Sequence, residues 1–241
     1  MSSLGTQVRT EVQLVLRNGE QLLLTLGIPV MLLVFFSVVD VLPTGTDDPI
    51  DFLAPGILAL AVMSTSMVSL GIGTGFERTY QVLKRLGATP LGRGRLIAAK
   101  ILSVVLVELI QLAILIPVAF ALGWAPTDPN WLLALVAIVL GTIAFAGIGL
   151  SLAGRLRGEI NLAAQNGIYL VLLLLGGMVI PFDELPAALQ AVARLLPSGA
   201  LADVLRESLT QAGDRPGTSW IVLAAWALVS PLVARRLFRF E

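Results

Sequence analysis

The sequence predicts an all-α integral membrane protein with six transmembrane helices, and three observations carry that prediction. Only 13% of its 241 residues are charged, against roughly 25% in an average soluble protein. Its mean hydropathy is +0.90. Weakly charged apolar runs recur along the chain, each near the about 18 to 20 helical residues needed to cross a hydrocarbon core about 30 Å thick. Cysteine and histidine are both absent, which removes disulfides, thiolate chemistry, zinc-finger-type sites and imidazole acid–base catalysis from consideration. No catalytic residue, metal site, bound cofactor or nucleic-acid partner is expected.

The first expected element is an interfacial amphipathic helix over about residues 4–17. Leu4, Val8, Val12 and Val15 recur at spacings of four and three, with Thr10, Gln13 and Arg17 on other faces, as in a helix lying in the bilayer surface. The N-terminus lacks a basic head followed by an apolar core and a small-residue cleavage site, so the first apolar helix is expected to act as its own targeting signal. Spans are expected at about 21–40, 52–75, 95–122, 130–154, 160–181 and 217–235. The third contains Lys100 near one end, Glu108 near its middle and Pro117, a candidate kink.

Between the fifth and sixth spans, Pro181 to Gly213 is too apolar for a flexible loop, and Pro186 and Pro197 interrupt it too often for one helix. Two short helices with breaks at Pro181 and Pro197 satisfy both facts. Irregular backbone cannot face lipid, so this external element is expected to be partly re-entrant, or to rest on the outer interface. No internal repeat or low-complexity linker is visible. Residues 1–241 read as a single transmembrane domain.

Six spans place both termini on one side. The segments on that side hold thirteen of the sixteen basic residues, while Arg194, Arg206 and Arg215 share the other side with ten acids. By the positive-inside rule the termini are cytoplasmic. So is the run FERTYQVLKRLGATPLGRGR, residues 76–95. From Gly75 to Gly87 it reads as one short amphipathic helix: Phe76, Tyr80 and Leu83 form an apolar stripe, and Glu77, Gln81, Lys84 and Arg85 a polar face. Gly87 supplies a stop, and Thr89 is pushed out of the helical region by Pro90. Taken alone, these residues suit either a helix resting on anionic lipid or a docking surface for a protein.

The run FERTYQVLKRLGATPLGRGRLIAAK resembles the loop between the second and third spans of type-2 ABC exporter permeases. Glu77, Arg78, Leu83, Leu86, Thr89, Pro90 and Lys100 stand at that family's positions. FLAPGILAL, residues 52–60, is similar to the family's second-span opening, and the series Gly176-Gly177, Pro181, Leu185-Pro186 and Leu196-Pro197 to its external element. The resemblance covers essentially the whole chain, and its specificity comes from motif order. One departure is Tyr80, where many relatives carry glycine.

The resemblance implies a permease of a bacterial cell membrane, crossing it several times, without an ATP site of its own. Neither Lys84 nor Lys100 closes a G-x-x-x-x-G-K-[ST] phosphate loop. It implies two copies of a separate ABC ATPase subunit that bind ATP and magnesium, and a second permease chain, identical or homologous. It implies that Phe76, Glu77, Arg78, Tyr80, Leu83, Lys84, Arg85, Thr89 and Pro90 form a coupling helix and its exit, docked on the ATPase. The cargo expected of such an exporter is a hydrophobic or amphipathic small molecule: a drug, antibiotic or lipid.

Glu108 is the one ionisable side chain expected well inside the membrane, where a charge costs about 2.5–3.5 kcal/mol on insertion scales. It should face protein, with Gln111 three residues on along the same face. Glu108, Gln111, Ser64 and Ser66 are candidates for a translocation path. Buried interhelical hydrogen bonding is the competing reading, as it is for Thr65 and Ser69. Asn161, Gln165 and Asn166 suit a gate or a helix cap. An ion-coupled secondary transporter or channel would require buried ionisable pairs or an inverted repeat. A membrane scaffold recruiting a cytoplasmic partner would need only the basic helix.

Overall fold

Apolar residues on every side of a helix demand burial on every side, and the second expected span meets that demand. In the computed structural model, which describes residues 3–17, 19, 23–39, 49–87, 92–126, 128–210 and 217–237, Pro49–Thr79 is one continuous 31-residue helical stretch. Its parts are α3 (Pro49–Met63), a π-helical segment (Ser64–Ser69) and α4 (Leu70–Thr79). Leu53 through Met63 are all buried. Small residues allow the close approach: a Cβ at Gly56 would fall on the Met178 carbonyl oxygen.

Preceding it are α1 (Ser3–Arg17), a π turn (Leu23–Gly27) and α2 (Ile28–Val38). The expected span at 21–40 is thus described only in part, over residues 23–39, with the shorter apolar helix Thr25–Val38 within it. Following it, α5 (Val82–Gly87) leads to α6 (Gly92–Ala121), which carries Pro117 inside a continuous helix. Next come α7 (Trp131–Ala153) and α8 (Gly158–Leu175). Asn130 caps α7, its side chain accepting from the Leu133 N–H at 3.1 Å.

The fifth span was expected to reach residue 181, but α8 stops at Leu175. Gly177 has φ +61°, and the Phe182 ring sits 2.7 Å from where its Cβ would be; a side chain there meets both steric obstacles. The external element forms the two expected short helices, α9 (Ala187–Ala193) and α10 (Pro197–Thr210), bent 80° apart. Pro197 opens α10 at a position that needs no N–H donor. α10 does not rest on the outer surface. Leu201, Val204, Leu205 and Leu209 are buried, and it packs against α3, α7 and α11 (Thr218–Leu237).

The chain is therefore all-helical among its described residues, with five helices long and apolar enough to cross a membrane, or six if α9 and α10 count as one bent span. α11 lies along α7, α1 along α6, and α4 against both α7 and α8. Gly147 brings α7 onto the Ser230–Pro231 backbone of α11, and the Ser230 hydroxyl donates to the Ala144 carbonyl at 2.7 Å. α6 and α7, by contrast, do not pack along one another.

Candidate functional site

The basic run is two elements rather than the single helix expected from Gly75 to Gly87. α4 ends at Thr79, the Tyr80 N–H bonds back to the Phe76 carbonyl at 2.9 Å, and Gln81 adopts φ +58°. That left-handed residue interrupts the helix before α5 begins. The apolar stripe is split as a result. Phe76 and Tyr80 stack, with ring centroids 6.1 Å apart and planes 13° from parallel, and Tyr80 is 67% exposed. Leu83 is turned the other way and is 2% exposed.

The residues of this turn sort by direction. Gln81, Val82, Lys84 and Arg85 are exposed together with Tyr80. Glu77, Arg78 and Thr79 bind inward. The Lys100 ammonium, at the start of the third span, lies 2.7 Å from the Glu77 carboxylate and 3.2 Å from that of Glu11 on α1. Arg78 donates to the Gly154 carbonyl at the end of α7. The Thr79 hydroxyl accepts from the Gly158 N–H at 2.9 Å, where α8 begins. The turn and its stem are thereby fastened to the end of α7, the start of α8 and, through Lys100, to α6 and α1. Thr89 and Pro90 lie outside the described residues.

Glu108 and Gln111 are both buried, as the third-span pattern predicts, but they reach different neighbours. Glu108 accepts from the Thr142 hydroxyl of α7 at 2.7 Å. Gln111 accepts from Thr65 in the π-helical segment at 2.7 Å and donates to the Thr25 carbonyl at 2.5 Å. Ser64 and Ser66 donate to carbonyls of their own helix, at Ala61 and Val62. Asn161 and Gln165 are neither a cap nor at the surface. Asn161 donates to the Gly71 carbonyl and Gln165 to the Gly149 carbonyl, both at 2.9 Å, knitting α8 to α4 and α7. Asn166 is exposed.

Two cavities lie beside the turn. A polar one of about 290 Å³ runs between α1, α4, α6 and the π-helical segment, past Glu11, Glu77 and Lys100 to Ser69, Ser103 and Thr65. The other, about 350 Å³ and almost wholly apolar, lies between α6 and α7. Leu70, Thr74 and Lys100 line both. Of the hydroxyls considered from sequence, Thr65 and Ser69 border the polar cavity.

At the opposite end of the chain's long helix lies Arg206, which sequence reasoning counted only among the charges of the external side. It is 5% exposed. Its guanidinium donates to the carbonyls of Gly177 at 2.6 Å, Met178 at 3.3 Å and Phe52 at 3.3 Å, and lies 3.7 Å from the centre of the Phe52 ring. The available signal was an arginine three residues after Asp203 inside a mostly apolar run. Glu11 was also missed. It shares a face of α1 with Gln7, which donates to it at 3.0 Å.

The family model for ABC-2 type transporters matches residues 3–210. The chain belongs to the ABC-2 type transporter family. It is therefore a multi-pass transmembrane subunit of an ABC transporter, and membership implies an ABC ATPase partner in general. Among proteins similar to this ABC-2 chain is the "Putative transport permease YvfS" of Bacillus subtilis, 24% identical and aligned over 99% of this chain and 98% of that protein. The "Probable multidrug ABC transporter permease YbhS" of Escherichia coli is 24% identical over 68% of this chain and 44% of its own length. The "Linearmycin resistance permease protein LnrN" of Bacillus subtilis is 32% identical over 60% of this chain and 37% of its own. The chain thus spans less than half of the latter two.

Proposed function

We propose that this chain is the permease of an ATP-driven exporter of hydrophobic or amphipathic small molecules, powered by a separate ATPase at the turn joining α4 and α5. The observation that carries this reading is the sorting of that turn. Tyr80, Lys84 and Arg85 face outward as an aromatic anchor beside basic groups, a combination suited to a protein groove with an acidic rim. Glu77, Arg78 and Leu83 face inward and hold the turn to the bundle. A push on the outward residues is then delivered to α1, α6, α7 and α8 together.

With the turn and both termini cytoplasmic, two ATPases closing on ATP and magnesium bring the turns of two permease chains, identical or homologous, toward each other. The polar cavity, bordered by Thr65, Ser69 and Ser103, offers hydroxyls and a carboxylate-rich end to an amphipathic or cationic solute. The relatives named for multidrug transport and linearmycin resistance support a cargo of that class.

The test is purification of the chain with its ATPase and reconstitution into vesicles. Lys84→Glu with Arg85→Glu should release the ATPase while leaving the permease inserted, and should abolish vanadate-sensitive, substrate-stimulated hydrolysis. Unchanged co-purification removes the docking assignment. Hydrolysis insensitive to every amphipathic solute tried removes the cargo assignment.

A further inference from the structure

We propose that the slot between α6 and α7 is a binding site for an anionic phospholipid, with one acyl chain along its apolar walls and the phosphate at its basic end. The slot exists because α6 and α7 do not pack along one another, leaving the cavity of about 350 Å³. Leu70 and Thr74 of α4 line it from within. Ile101 of α6, Ile143 and Ala146 of α7, and Ala234 of α11 form its sides. Ile101 and Ile143 are exposed on the outer surface of the bundle, so the slot opens where lipid tails lie.

Its polar groups are few and follow the order of a phospholipid. Lys100 and Arg235 are the charged groups of its lining. The carboxylates that pair with Lys100 border the neighbouring polar cavity instead. Arg235 forms no ion pair among the described residues. A phosphate there gains a charge-assisted contact, and the negative surface potential of an anionic leaflet draws the basic Arg235 toward the headgroup level. Between the basic end and the apolar walls sits Thr74. It is 1% exposed, and its hydroxyl has no hydrogen-bond partner among the described residues. An unpaired buried hydroxyl costs about 1–3 kcal/mol, and an ester carbonyl at the glycerol level would accept from it. The other hydroxyl of the lining, Thr142, is already engaged by Glu108 and the Ile138 carbonyl.

This inference goes beyond the transport reading, and its test uses neither transport nor ATP. The full chain is placed in phosphatidylcholine nanodiscs with trace phosphatidylglycerol bearing a mid-chain diazirine, photolysed, and mapped by peptide mass spectrometry. Labels should concentrate on the α6, α7 and α11 peptides that border the slot, and unlabelled phosphatidylglycerol should displace them at least fivefold more effectively than phosphatidylcholine. Ala146→Trp, which fills the slot, should cut that labelling at least fivefold. Arg235→Gln, at an exposed position that does not threaten folding, should abolish the preference for the anionic lipid. Even labelling of all lipid-facing helices, including Leu170 and Leu174 of α8, overturns the proposal. So does a slot shielded from the label by a second copy of the chain, equal displacement by the two lipids, or undiminished labelling in monodisperse A146W. Should A146W misfold, displacement on the native chain and the Arg235 variant still decide.

Discussion

The ammonium of Lys100 lies 2.7 Å from the carboxylate of Glu77, and a second carboxylate, Glu11, stands 3.2 Å away on a different helix. One largely buried cation thus holds α1, the stem of the α4–α5 turn and the third-span helix α6. Removing it leaves two carboxylates close together with little solvent. Breaking a fully buried pair costs about 3–5 kcal/mol and an exposed one about 1 or less; this half-buried node belongs between them. Lys100→Met should lower the apparent melting temperature measured by fluorescence-detected size exclusion, and Glu77→Gln should lower it less, because Glu11 remains for Lys100. The exchange Glu77→Lys with Lys100→Glu should recover part of the loss. Additive losses in the exchange variant would show that the two side chains do not interact.

Leu83 and its neighbours Lys84 and Arg85 face opposite ways, so their substitutions should fail differently. Leu83→Ala removes a buried side chain and should cost about 2–5 kcal/mol of permease stability. ATPase binding by the surviving protein should persist. Lys84→Glu with Arg85→Glu should leave the melting temperature within a degree or two and release the ATPase. Thermal unfolding and co-purification, read side by side, separate the two; an L83A protein that is fully stable but unbound would reverse the assignment.

Gln111 bonds to two other segments, accepting from Thr65 and donating to the Thr25 carbonyl, whereas among the described residues the Thr65 side chain bonds only to Gln111. Interhelical hydrogen bonds in membranes average about 0.6 kcal/mol and reach about 1.7. Gln111→Leu should therefore destabilise the protein more than Thr65→Val, and the double variant should be little worse than Gln111→Leu. For Glu108, the Gln substitution keeps an oxygen to accept from Thr142 but removes the charge. Expression should hold while uptake of cationic relative to neutral solutes into inside-out vesicles falls severalfold. Collapse of expression, with normal selectivity in what survives, would make Glu108 a structural residue.

Around Arg206, one guanidinium reaches three carbonyls. Arg206→Met strands the Gly177 and Met178 carbonyls, which lie outside any helix, each at about 1–3 kcal/mol, and Arg206→Lys cannot reproduce the fork; both should abolish a monodisperse peak. Gly56→Ala should do the same by steric means, since the added methyl collides with the Met178 carbonyl and meets the guanidinium at 2.9 Å. Gly73 has open space around a Cβ, and Gly73→Ala at that helical position should be neutral or stabilising by about 0.5–1 kcal/mol. Equal tolerance of the two alanines would refute the close packing of α3 on the backbone near Met178.

The helices and the external element were legible because they rest on local signals: apolar run length, proline spacing, and the Gly176-Gly177 pair. Burial of Glu108 followed from the cost of a charge in lipid. Pairings were not legible. Nothing in the spacing of Glu11, Glu77 and Lys100 says that residues 89 positions apart meet, because helix packing alone brings them together. The break at Tyr80–Gln81 escaped for a different reason. Helical periodicity continues across it, and a glutamine in the left-handed region leaves no compositional trace. Arg206 was misjudged because counting charges by side of the membrane treats each as solvated, and this one is bound by backbone.

Thirty-one helical residues, at about 1.5 Å each, make Pro49–Thr79 a rod of about 46 Å. It is pinned near its first residues by Arg206 through the Phe52 carbonyl and near its last by Lys100 through Glu77. A rod pinned at both ends transmits displacement over its whole length without a loop to absorb it. The wider turns at Ser64–Ser69 are the one stretch where its pitch changes. There Thr65 is bonded to the third span, so any twist passing along the rod must be taken up by, or handed to, Gln111.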